Sequence, residues 1–123
     1  MASNSSGLYL VADRSRFNQW SITIGEADGD DATIAANDVV RVKIGRAGDT
    51  PLLEVESDAA TANGSQTTAA NPTVLSIEAE DLAFAAGVYD VEVSIWDTSE
   101  ERIKKAERGV FVLRDSMGGE VGA

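Results

Sequence analysis

From Tyr89 to Ile95 the chain alternates without a break. Tyr89, Val91, Val93 and Ile95 fall on one side, and Asp90, Glu92 and Ser94 on the other. A period of two marks a strand with one buried and one wet face. Such a strand needs neighbours to pair with and a second layer to cover its apolar side, so this stretch constrains the rest of the chain. The residues before it, EDLAFAAG, make a corner. Asp81 is placed to cap a short helical turn carrying Leu82 and Phe84, and Gly87 to take a positive φ on leaving it. Tyr89 is expected over the end of a sandwich core, its hydroxyl bonded back to the loop.

The same period recurs along the chain. Trp20, Ile22 and Ile24 alternate with Ser21 and Thr23, and Val40, Val42 and Ile44 with Val39, Arg41 and Lys43. Gly45–Pro51 is turn chemistry, and the shorter strand after it sets Leu53 and Val55 against Glu54 and Glu56. Across that hairpin Arg41 and Lys43 are expected to meet Glu54 and Glu56, each pair worth at most about 1 kcal/mol. Leu75 and Ile77 mark another strand. Residues 98–108 fit either a helix opened by a capping box or one arm of a hairpin; the hairpin is the expectation, with Gly109 at a bulge before Val110–Leu113. The predicted fold is all-β: an Ig-like antiparallel β-sandwich of about seven strands, with one helical corner turn and flexible termini. It divides into an N-terminal arm (1–16), the sandwich (17–114) and a flexible C-terminal tail (115–123).

Two segments stand apart. Leu8, Tyr9, Leu10 and Val11 are apolar on both sides, which suits a first strand tucked between the sheets or an arm that packs on a neighbouring subunit. Residues 58–72, DAATANGSQTTAANP, are too small and polar to build a core. They read as a long surface loop or a hairpin with Asn63 and Gly64 at its tip, disordered in the free chain or ordering on assembly. Trp96, at a strand end, is either an exposed interface anchor or packed under the following hairpin. Leu8–Val11, Asn63, Gly64 and Trp96 are therefore the candidate partner contacts.

The 123 residues include neither histidine nor cysteine. That removes disulfides, thiolate metal sites, Ser-His-Asp and Cys-His nucleophiles and the usual near-neutral proton shuttle. No catalytic, cofactor or metal site is assigned. The acidic loop with Glu26, Asp28, Asp30 and Asp31 lacks the order of a calcium-binding EF-hand loop and reads as solvated. With 10 basic and 21 acidic residues the net charge is −11, which argues against nucleic acid and anionic membrane partners. The acidity serves solubility or a positively charged protein partner. No apolar run approaches the roughly 20 residues of a membrane helix. The opening residues have neither the basic nor the apolar region of a secretory signal.

The order of VVRVKIG, LAFAAGVYDVEVSIWD and ERIKKAERGVFVLRD, spanning Asp38 to Leu113, resembles the small immunoglobulin-like domains of tailed-phage virion proteins, including the N-terminal domain of the baseplate upper protein family. The chain departs from that pattern where Ser99, Glu100 and Glu101 replace the usual glycine of the last hairpin turn, and no receptor-binding part follows Gly119–Ala123. The resemblance implies a non-enzymatic structural protein of the virion, assembled in the host cytoplasm. A capsid decoration (cement) protein, present in many copies on the major capsid protein, is the leading expectation. An adaptor on another virion protein of the tail, baseplate or fibres is the alternative, with self-association as a further expectation. Three other readings compete: an Ig-like surface or glycan-binding module, a calcium-stabilised adhesion repeat, and an acid–base enzyme using a carboxylate pair.

Overall fold

The computed structural model describes residues 8–26 and 29–115. Eight strands and one 3-10 turn lie among them: β1 (Leu8–Asp13), β2 (Asn18–Ile22), β3 (Asp38–Gly45), β4 (Leu53–Glu56), β5 (Gln66–Thr67), β6 (Thr73–Ile77), the turn Ala79–Leu82, β7 (Gly87–Asp97) and β8 (Arg102–Arg114). They form a five-stranded sheet in the order β1-β8-β7-β3-β4 and a three-stranded sheet in the order β2-β6-β5. Every pairing is antiparallel except β1 with β8, which is parallel. The chain is a two-layer β-sandwich, and no helix among the described residues is long and apolar enough to cross a membrane.

The alternating residues build the core as their spacing demands. Val40, Val42, Ile44, Val55, Val93, Ile95 and Phe111 are fully enclosed, facing Ile24, Leu75 and Ile77 of the other layer. Trp20 packs edge-on against Phe111, ring centroids 6.0 Å apart. At the corner, Tyr89 is buried, meets Phe84 edge-to-face and donates its hydroxyl to the carbonyl of Ala85 at 2.5 Å. Gly87 has φ of 158°, near extended backbone. Residues 98–108 form a hairpin rather than a helix: β7 and β8 pair from Asp97 with Arg102 to Gly87 with Leu113.

Several expectations change. β1 belongs to the five-stranded sheet, so Leu8–Asp13, assigned from sequence to the arm, is part of the sandwich. Leu10 and Ala12 are buried, while Leu8 is half-buried against the core. Residues 1–7 and 116–123 lie outside the described residues. The bulge falls at Ile95 and Trp96, not at Gly109. Gly109 instead pairs with Val91 on one side and Leu8 on the other. A Cβ built there would lie 1.9 Å from the Leu8 carbonyl oxygen, so β1 reaches β8 only across a residue without a side chain.

Asp81 does not cap the turn; the N-cap position is Glu78, with no side-chain cap bond. The Asp81 carboxylate accepts instead from the Thr61 hydroxyl (2.6 Å) and the Asn63 amide (2.8 Å). Together with Ser65, whose hydroxyl accepts from the Glu78 N–H at 2.8 Å, these bonds order the first half of the 58–72 segment. Asn71 orders the second half, donating to the carbonyls of Ile24 (2.8 Å) and Ala32 (2.7 Å) and accepting from the Ile24 N–H. In place of a disordered loop, the segment contributes β5 and the buried Ser65 and Thr67.

Candidate interaction surface

Residues of the five-stranded sheet that do not face the core cover its outer face, and the strand register sets them in rows. Val11, Val112 and Val88 make one row across β1, β8 and β7; Tyr9, Val110 and Asp90 make the next. Tyr9 is 63% exposed and Val88 60%. Further rows turn charged: Arg108 beside Glu92, Glu92 beside Lys43, and Lys43 beside Glu54. The face is therefore apolar at the β1 corner and a ladder of opposite charges toward β4.

The ladder matches expectation. Arg41 lies opposite Glu56 (3.3 Å) and Lys43 opposite Glu54 (3.8 Å), while Arg108 bonds Glu92 at 2.9 Å. The Arg41 guanidinium also stacks over Trp96, 4.6 Å from the ring centre. That cation–π contact covers one side of the indole and leaves Trp96 half-buried. Burial and a hydrogen bond with Asp58 outweigh the attraction of Arg41 and raise the Glu56 pKa above its ordinary value. At the start of β3, Asp38 is buried against Lys104 (2.8 Å) and the Ala35 N–H (2.7 Å). Burial acts to raise its pKa, but those two partners outweigh it and hold the carboxyl below its ordinary value. Between the ladder and the β3–β4 turn lies a groove of about 430 Å³, lined by Lys43, Arg46, Asp49, Asp90 and Arg108.

The structure distributes the residues singled out from sequence. Tyr9 and Val11 share the apolar corner, Leu10 points into the core, and Trp96 sits at the other end of the same sheet. Asn63 is exposed at the tip of a turn closed by the Gly64 N–H on the Thr61 carbonyl (2.9 Å). Gly64 borders a shallow groove shared with Phe17, Gln66 and Val74, the last two on β5 and β6 of the three-stranded sheet. The candidates thus fall on both sheets and do not form one site. Val88, Val110 and Val112 complete the apolar corner and were not singled out. Their signal was present: in Val110–Leu113 every residue is apolar, so both faces of that strand carry apolar side chains.

In the acidic loop Glu26 pairs with Lys105 at 2.9 Å, and Asp31 bridges Gly25. Asp28 lies outside the described residues; among those described, no group of three or more side chains is arranged to hold a metal. Compared with protein-family models and with curated proteins, the chain matches none.

Proposed function

We propose that the protein is a non-enzymatic structural component of a tailed-phage virion, an Ig-like decoration protein that docks in many copies on the capsid lattice through its apolar corner. The observation that carries this reading is an apolar patch at one corner of the outer face, where Tyr9 and Val88 are exposed and Val11, Val110 and Val112 lie half-buried between them. Contiguous apolar surface rimmed by polar groups is the usual mark of a protein interface. The immunoglobulin-like part rests on two further features. The strands of one layer follow β8-β7-β3 and those of the other β2-β6-β5, as in the G-F-C and B-E-D sheets of such domains. Tyr89, bonded back to Ala85 at the entry to β7, fits their tyrosine corner. The virion context rests on the sequence resemblance, since a fold by itself does not assign a role. A rigid body repeated at lattice positions gains avidity from modest contacts.

The test is to mix the protein with undecorated capsids and image the particles. Regular density on the head is expected, and Val88→Lys should lower its occupancy without changing the melting temperature. Density at the tail alone would assign an adaptor. Absence from the particle would overturn the reading and direct attention to glycan binding.

A further inference from the structure

The two edges of the five-stranded sheet are unlike. β4 has four residues, two of them Glu54 and Glu56. Brevity and charge of that kind keep an edge from pairing with another chain. β1 has six residues, LYLVAD, with no proline and its only charge at the last position. Among the described residues its only neighbouring strand is β8. A groove of about 440 Å³, lined by Leu8, Tyr9, Ser21 and Thr23, runs beside it.

The bonds at the end of β1 show which main-chain groups face this open side. The Arg14 N–H donates to the Arg114 carbonyl of β8 at 2.9 Å, so even-numbered residues address β8. Asp13 turns the other way: its N–H donates to Asn18 Oδ1 (3.2 Å), and its carbonyl accepts from Asn18 Nδ2 (3.0 Å). Main-chain direction alternates along a strand, so Val11 and Tyr9 present their N–H and C=O groups outward as Asp13 does.

We propose that this edge is a self-association site, where a second copy lays its own β1 antiparallel along the first about a two-fold axis at Leu10. A two-fold axis makes the interface self-complementary, the commonest arrangement in homodimers. An axis at Val11 would set Tyr9 against Asp13 of the second copy, whose main chain Asn18 already holds. An axis at Leu10 sets Tyr9 opposite Val11 in both directions, each pair exchanging both N–H···O bonds, and sets no described residue of the second copy against Asp13. It also keeps every side chain on its proper face, with Tyr9 of one copy beside Val11 of the other. The apolar corner then becomes continuous across the axis. With −11 on each chain, association strengthens as salt screens the repulsion. This inference is independent of the virion role.

Sedimentation of the full chain from micromolar to millimolar concentration tests it. A monomer–dimer equilibrium is expected, weakened at least tenfold by Val11→Pro with little change in melting temperature. The N–H lost there points away from β8, and proline is accepted on the solvent side of an edge strand. A second readout does not depend on that variant folding. The chain has no cysteine, so Tyr9→Cys mixed with Val11→Cys should cross-link on mild oxidation. Neither variant alone should do so, because like positions then lie about 8–9 Å apart, beyond the reach of a disulfide. A monomer at all concentrations, a dimer indifferent to Val11→Pro, or cross-linking within either variant alone would each overturn the proposal.

Discussion

Replacing Gly109 by alanine tests how β1 is held. The added Cβ would stand 1.9 Å from the Leu8 carbonyl oxygen and 2.7 Å from the Leu8 carbonyl carbon, whereas such contacts essentially never fall below 3.0 Å. The obstruction is main chain, so no side-chain rotation relieves it, and the strands must separate by more than 1 Å at that point. A hydrogen bond lengthened that far is lost. If the displacement spreads along β1, Leu10 leaves the core, and a leucine side chain is worth about 1.5–3 kcal/mol when fully buried. Recovered chain freedom offsets part of this. The expected net loss is about 2 kcal/mol, read by urea denaturation, with early exchange of the Leu10 and Ala12 amides. A chain lacking residues 1–9 has no Leu8 carbonyl, and there the same substitution should cost almost nothing. Full stability of Gly109→Ala in the whole chain, or an equal loss in the shortened one, would refute the reasoning.

Two further substitutions probe the loops. Asp81→Asn should destabilise by about 1–3 kcal/mol at neutral pH, since the carboxylate accepts the bonds that hold residues 61–65. Burial acts to raise the Asp81 pKa, but bonds from Ser65, Thr61 and Asn63 outweigh it and lower the value. That stabilisation is present above the unfolded-state pKa and lost as pH falls through the folded one, so acid titration of stability should bring the two proteins together. Glu101→Gly should stabilise by up to about 1 kcal/mol, because Glu101 holds φ of 55° in the last hairpin turn, a conformation costly for any residue with a Cβ. Thermal melting checks it, and a lower melting temperature would count against the turn geometry.

The sandwich was legible where one side chain decides one face. The alternation of Tyr89–Ile95 fixed the inner residues of β7, and the hairpin set the two cations of β3 against the two carboxylates of β4, while the register shows which meets which. Tyr89 announced its own corner, because an aromatic at the start of a strand needs somewhere to place its hydroxyl. What stayed hidden depends on partners distant in sequence. Thr61, Asn63, Ser65 and Asn71 look like solvent-facing loop residues until Asp81, Glu78, Ile24 and Ala32 are brought beside them. The β5 strand has two residues and no period to read. Glu101 at positive φ explains how the last turn closes without glycine: Asp97 accepts from the Ser99 and Glu100 N–H groups and ties the turn from within. The apolar corner escaped because its members sit on three strands, and only the register of β1 on β8 gathers them.

That register also orders events during synthesis. The salt bridge between Asp13 and Arg114 joins residues 101 positions apart, and every other pair along β1 spans the same distance. At about 5–20 residues per second, the ribosome adds β8 roughly 5–20 seconds after β1 has been made. Of the described strands, β1 is made before the others and can dock only once β8 is complete, so Leu8, Tyr9 and Leu10 lack their strand partner while the strands between are being made.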